Sequence, residues 1–245
     1  GKAISRVLGN KKVKAFELCS LKGEGSPQEI IYCNSILMSG GWSPTLHLWS
    51  HCGGKLIWDS ATDTFLPDAL NPPVDENGEV FISVAGSAHG NLWPSEIIED
   101  VRDVVIEVRR KFKSGGKKLN KTKIQEISYG KSASIYFMPE RAGEKLKDKC
   151  FVDFQNDVKI SDLRLAVQEG FESVEHLKRY TTLGMATDQG KLSNINGLKY
   201  LADLAGKEIN QIGTTTFRPP FTPISLGSIA GEARKDLFKP VRRTS

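Results

Sequence analysis

Between Phe151 and Ser193 the chain alternates helix-length apolar patterns with a run of small residues, and no other stretch restricts the fold as much. Ser161 is an N-cap candidate, Leu163, Ala166 and Val167 follow at helical spacing, and Gly170 supplies a left-handed stop. Ser173 opens a second helix with Val174, Leu177 and Tyr180 on one face. That helix ends in the small-residue turn from Gly184 to Gly190, and a third begins near Ser193. Ile195, Leu198, Leu201, Ala202 and Ala205 line the third helix, and Gly206 stops it. Small residues around a helix N-terminus leave backbone N–H groups exposed, a geometry suited to an anion or a cluster.

The N-terminal half has a different rhythm. Ile4–Leu8 and Val13–Leu21 read as strands joined across Gly9-Asn10, with Glu29–Cys33 as a third. An apolar strand through Ile36-Leu37-Met38 runs into Gly40-Gly41 and then Pro44. A second strand, Val80–Ala85, ends in Gly86-Ser87-Ala88-His89-Gly90 and gives way to a helix from about Pro94 to Phe112. Ile97, Ile98, Val101, Val104, Val105 and Val108 form that helix's apolar face. A strand, a small-residue turn and a helix N-terminus are how doubly wound sheets hold a dinucleotide pyrophosphate. No Gly-x-Gly-x-x-Gly opens such a domain here, so residues 1–112 are expected to be the C-terminal portion of a nucleotide-binding domain whose earlier strands lie upstream. Residues 113–150 read as a linker, glycine-bearing and polar at its start, and 151–212 as the helical domain. Residues 213–245 read as an extended tail stiffened by Pro219, Pro220, Pro223 and Pro240, of the kind that docks on a partner.

Composition removes several function classes. Lys+Arg 34 against Asp+Glu 29 in 245 residues is a mixed surface at net charge +5, not a nucleic-acid stripe. The basic excess at Arg109–Lys123 and Lys235–Arg243 reads as solvated linker and tail. No apolar run approaches the ~20 residues a membrane helix requires, so no membrane partner is expected. Cys19, Cys33, Cys52 and Cys150 are scattered, with no Cys-x-x-Cys pair and no secretory segment, which suits reduced thiols in a cytoplasm. A chain opening on Gly1 rather than Met is expected to be a piece of something longer.

Phe151-Val152-Asp153-Phe154-Gln155, together with Asp188-Gln189-Gly190 and Ser193, resembles the two-iron two-sulfur module of bacterioferritin-associated ferredoxin. Its four ligand positions fall at Asp153, Gln155, Asp188 and Ser193. None is cysteine, and a cluster needs thiolates, so no metal is expected. The cysteine-free version, with Arg179-Tyr180-Thr181-Thr182-Leu183-Gly184-Met185-Ala186-Thr187-Asp188-Gln189-Gly190 and Thr214-Thr215-Thr216-Phe217-Arg218-Pro219-Pro220-Phe221-Thr222-Pro223, resembles the alpha subunits of heterotetrameric sarcosine oxidases. That likeness covers about residues 150–230 and has support over 1–110.

The resemblance implies an α+β chain: the C-terminal part of a two-dinucleotide-binding, Rossmann-like flavoprotein-reductase domain, then a small ferredoxin-like helical domain without its cluster, then a Pro-rich tail leading to a folate-binding domain beyond Ser245. It implies NAD in this chain, FMN at the interface with a beta (flavin) subunit that carries FAD, and smaller subunits besides. The implied reaction is oxidative demethylation of sarcosine to glycine with O₂ and tetrahydrofolate, giving hydrogen peroxide and 5,10-methylenetetrahydrofolate. Cofactor contacts are expected from Gly40, Gly41, Gly86, Ser87, Ala88, His89, Gly90, Trp93 and Ser95, and Arg218 ahead of its prolines is expected to meet a phosphate or carboxylate. Ser87 stands where related reductases carry an aspartate for a flavin hydroxyl, which favours NAD over FAD here. No catalytic base is visible, so the piece alone is expected to be inactive.

Plainer roles stand beside these. His47 and His51 are spaced i, i+4 and could grip zinc, but with no third ligand nearby they read as a surface helix, and His176 reads as solvated. Asp153 and Asp188 could form a carboxylate pair, yet capping and turn roles suit aspartate better. Trp42, Trp49, Trp58 and Trp93 read as packing residues before stacking ones. Two alternatives remain for the whole: the alpha subunit of a related amine or opine oxidase or proline dehydrogenase, or a non-enzymatic electron-transfer or scaffold module.

Overall fold

The computed structural model describes residues 1–116, 124 and 134–232. Most of the polar linker, the basic stretch at Lys235–Arg243 and the end of the tail fall outside them.

Strands β1 (Lys2–Gly9) and β2 (Val13–Ser20) form the expected antiparallel hairpin, and β3 (Glu29–Tyr32) adds to the far side of β2. Gly9 closes the turn at φ 143°, where an added Cβ would lie 2.0 Å from the Lys12 carbonyl oxygen, so only glycine fits. Ala3 and Cys19 are cross-strand partners and are buried with Ala15, which gives this sheet its inner face.

The two expected strands beyond it do not form. Leu37 is 98% exposed in an extended segment, and Val80 makes only an isolated bridge to Val74. A strand needs a neighbour's edge to satisfy its backbone, and neither segment meets one. The chain instead makes a short helix α1 (His47–His51) and a hairpin of β4 (Leu56–Asp59) and β5 (Thr64–Pro67). Residues 86–89 form a 3-10 turn rather than the end of a parallel strand, and α2 (Pro94–Lys111) follows as expected. Pro94 sits in the first turn of α2, and Arg109, Arg110 and Lys111 oppose the dipole at its last turn. All three sheets among the described residues are antiparallel, so the α+β composition stands while the parallel remnant of a doubly wound sheet is absent from them.

The main core lies in the helical half. After α3 (Glu144–Lys147), the hairpin of β6 (Phe151–Asp153) and β7 (Val158–Lys159) leads into α4 (Ile160–Gln168), α5 (Val174–Thr181), α6 (Asn194–Ala205) and α7 (Ile209–Ile212). Helix α4 starts before Ser161, because the Asp162 carboxylate accepts the Lys159 N–H at 2.8 Å and sets the cap two residues earlier. Ser173 caps α5 as expected, accepting the His176 N–H, and Gly170 and Gly206 end their helices at φ 89° and 61°. Leu163, Leu177, Leu183, Leu198 and Leu201 fill the centre, each worth about 2 kcal/mol of burial. Gly197 lets α6 approach Leu183 closely: a Cβ there would meet Leu183 Cδ2 at 2.4 Å. Arg164 ties the helices at the side, reaching Glu144, Asp148 at 3.1 Å and the Tyr200 hydroxyl at 2.9 Å.

The two halves touch. Trp58 and Phe65, from β4 and β5, pack on the helical core, and the Trp58 N–H donates to Asn210 Oδ1 at 3.0 Å. Among the described residues no helix is long and apolar enough to cross a membrane.

Candidate functional site

A cleft of about 430 Å³ lies where the halves meet. Gly41–His47 form one part of the lining, Gly190, Lys191 and the first turn of α6 another, and the arm from Thr214 to Thr222 a third. Trp42, Phe65, Phe217 and Phe221 contribute aromatic rings to a mixed lining, and Thr214, Thr215 and Thr222 contribute threonine side chains.

The arm is held to this chain at several points. The Thr216 N–H donates to Glu175 Oε1 at 2.8 Å, and Asn194 Nδ2 donates to Thr215 Oγ1 at 3.1 Å. Lys191 Nζ donates to the Phe221 carbonyl at 2.7 Å and stands 4.0 Å from the centre of its ring. The Phe221 ring also stacks on His47 at 4.5 Å, and Phe217 touches it edge-on at 4.9 Å. The tail expected to dock on a partner thus docks first on its own domain. A short helix α8 (Leu226–Ala230) follows, with Leu226 and Ile229 exposed.

Electrostatics in the cleft favour a neutral imidazole. Burial, then the neighbouring His51, then Lys191 hold the His47 pKa below its usual value. His47 Nδ1 and Asn194 Oδ1 are buried and have no hydrogen-bond partner among the described residues. His47 and His51 do share a helix, but among the described residues no group of three His, Cys, Asp or Glu side chains is arranged for a metal.

Beside the cleft lies the knot expected from the cluster positions. Asp153 is buried, and its Oδ1 accepts the N–H groups of Gln155 at 2.8 Å and Asn156 at 3.1 Å. Its Oδ2 accepts the Gly184 N–H at 2.7 Å, across 31 residues of sequence. Gln155 Oε1 accepts from Thr187 Oγ1 at 3.1 Å and from the Asp188 N–H at 3.2 Å. Asp188 Oδ1 in turn accepts the Gly190 N–H at 3.1 Å, and the Ser193 N–H donates to the Gly190 carbonyl at 3.2 Å. All four positions therefore meet in one network. Both carboxylates accept backbone N–H groups in capping and turn roles, not as an acid–base pair. Ser193 Oγ is buried without a partner among the described residues.

The expected cofactor residues divide between two places. Gly41 lines the cleft, with Gly40 exposed beside it, and Arg218 projects from the arm into solvent. Gly86, Ser87, Ala88, His89 and Gly90 lie elsewhere, with Trp93 as the N-cap of α2 and Ser95 in its first turn. An added Cβ on Gly90 would lie 2.5 Å from Leu66 Cδ2, whereas the adjacent Phe65 faces the cleft. Neighbouring strand residues point to opposite faces, so β5 separates the 86–90 turn from the cleft. The amide of that turn is already engaged, since the Gly86 N–H donates to Asp100 Oδ2 at 2.6 Å and His89 Nδ1 lies 3.0 Å from Asp100 Oδ1.

Lys191, Asn194, Phe217 and Phe221 line the cleft and were not singled out by sequence reasoning, and His47 was weighed only against zinc. The two phenylalanines bracketing Arg218-Pro219-Pro220 were the available signal, because apolar rings on a proline-stiffened arm need a surface to cover.

A family model described as the sarcosine oxidase A3 domain matches residues 147–232, taking in both the helical core and the arm. The chain is 36% identical over 238 residues to the sarcosine oxidase subunit alpha of Rhizobium meliloti (strain 1021), a match covering 96% of this chain and 22% of that protein. It is 31% identical to the corresponding subunit of Corynebacterium sp. (strain P-1), over 90% of this chain and 22% of that protein. The fold is similar to that of L-proline dehydrogenase from P. horikoshii, with a TM-score of 0.64 at 19% identity over 92% of this chain and 43% of that one. The chain spans 22% of the length of the first curated relatives it matches. Over that span its sequence is similar to the alpha subunits of sarcosine oxidases.

Proposed function

We propose that this chain is a segment of the alpha subunit of a flavin-dependent amine oxidoreductase of the sarcosine oxidase type, and that its cleft faces a flavin held with a partner subunit. The overall reaction on this reading is oxidative demethylation of sarcosine to glycine, with O₂ accepting electrons and tetrahydrofolate taking the one-carbon unit. The observation that carries it is the convergence of the arm, the Gly190-Lys191 turn and α6 on one cleft, within the segment that the family model covers.

The residues present fit FMN. The rings of Trp42, Phe65, Phe217 and Phe221 and a volume of about 430 Å³ suit a fused ring system. Bound FMN would supply the hydride and electron transfer. This chain would contribute stacking surface from Trp42, Phe217 and Phe221, a positive charge from Lys191 and water exclusion by the arm. Arg218, exposed on the arm, would meet a phosphate or the partner's surface. The beta subunit, its FAD and the smaller subunits belong to the same proposal.

NAD fits less well. The residues expected to contact it lie on both sides of β5, and Asp100 already accepts the Gly86 N–H, so no step is routed through NAD. On this reading residues 1–112 remain the end of a nucleotide-binding region in the longer protein, 151–212 a ferredoxin-like module that has exchanged metal ligation for hydrogen bonds, and 213–245 the approach to a folate-binding domain.

One observation favours a second substrate: the fold likeness to L-proline dehydrogenase. Co-expression of the full-length subunit with a candidate flavin subunit, followed by a screen of N-methyl amino acids and L-proline, tests both. Sarcosine oxidation with bound FMN is expected. Turnover of proline alone would favour the second reading, and a complex that binds FMN but oxidises neither would overturn both.

A further inference from the structure

The hydrogen bonds of the former ligand positions continue into the wall of the cleft. From Gln155 Oε1 the path passes to the Asp188 N–H at 3.2 Å, and the Asp188 carbonyl accepts from Lys191 Nζ at 3.2 Å. Lys191 Nζ also donates to the Phe221 carbonyl at 2.7 Å and faces the Phe221 ring, which stacks on His47 at 4.5 Å. Asp153 anchors the start of the same loop through Gly184, and Asn156 Nδ2 fixes it again by donating to the Thr182 carbonyl at 2.7 Å.

The loop does not need these bonds for its own turns, which the Gly190 and Leu192 N–H groups already make to the Asp188 carboxylate. What Asp153 and Gln155 add is the position of the whole loop relative to the β6–β7 hairpin. Fixing that position also fixes Lys191, and through it the arm.

We propose that Asp153 and Gln155 are positioning residues for the cleft: by clamping the 182–193 loop to the β6–β7 hairpin they hold Lys191 where it clasps Phe221 and keeps the arm in the cleft lining. The inference rests on the reading of the cleft as the flavin-facing site, and it adds to that reading the device that holds the arm in place. Neither residue touches the cleft itself.

Backbone hydrogen exchange on the full 245-residue chain tests it. Gln155 is exposed, so Q155A retains the core, and K191M removes the clasp one step further along. Q155A is expected to speed exchange of the arm amides in 214–222 by about fivefold, the equivalent of one net hydrogen bond. The interiors of α4 and α6 should be unchanged. K191M should loosen the arm without loosening 182–187, and the double variant should exchange no faster in the arm than K191M alone. D153N, which removes the acceptor for Gly184, should act on the same segments more strongly. Unchanged arm exchange in both Q155A and D153N would overturn the proposal. So would loosening of the arm only together with α4 and α6, or effects of Q155A and K191M that multiply in the double variant. Flavin retention in the assembled complex is a separate readout: its loss in K191M bears on the flavin reading, whereas exchange in the isolated chain bears on the clamp.

Discussion

The Gly184 N–H reaches across 31 residues to Asp153 Oδ2 at 2.7 Å, so one buried carboxylate joins the β6–β7 hairpin to the loop before α6. Its other oxygen takes two more amides. Replacing Asp153 with alanine strands three N–H groups, and each buried unsatisfied donor costs about 1–3 kcal/mol. A loss of about 3 kcal/mol is expected, read as a lower urea midpoint at unchanged slope. A midpoint within about 0.5 kcal/mol of the parent would contradict this account.

Gly197 is the fourth residue of α6, where alanine would ordinarily add up to about 1 kcal/mol of helix stability. Here the added methyl would lie 2.4 Å from Leu183 Cδ2, and Leu183 is fully buried. Overpacking costs about 1–3 kcal/mol, so Gly197→Ala should destabilise despite its better propensity. Thermal unfolding decides it: a raised Tm would mean that Leu183 has room to retreat.

His47 should make stability fall in acid. Its folded pKa lies below the ordinary 6.5, so the unfolded chain takes up the proton first. The contribution is fully present above pH 6.5, declines as pH falls through that value, and levels off below the folded pKa. The slope from this one group is at most about 1.4 kcal/mol per pH unit. Urea titrations between pH 5 and 8 should show a shallower acid slope in His47→Gln than in the parent; equal slopes would remove His47 as the cause.

Arg218→Ala should leave the isolated chain as stable as the parent, within about 0.5 kcal/mol, because the side chain is exposed on the arm. In the complex with a flavin subunit it should lower FMN retention or subunit association. Unchanged flavin content in the purified complex would remove Arg218 from the interface.

Legibility followed local chemistry. Ser173, Gly170 and Gly206 announce helix ends by mechanisms confined to a few residues, and the hairpin of β1 and β2 follows from alternation around Gly9. The segments through Leu37 and Val80 carry strand-like composition, yet a strand exists only if another edge arrives, and no local pattern records that. Helix α2 was readable from its period, although none of its residues is fully buried. The grouping of Asp153, Gln155, Asp188 and Ser193 was legible only through resemblance. Lys191 against Phe221 was not legible at all, because the contact joins a turn and an arm 30 residues apart.

At the centre of the knot, carboxylate and amide groups tie this part of the polypeptide together by hydrogen bonds. Thiol-directed reagents would therefore find nothing to modify at Asp153, Gln155, Asp188 or Ser193.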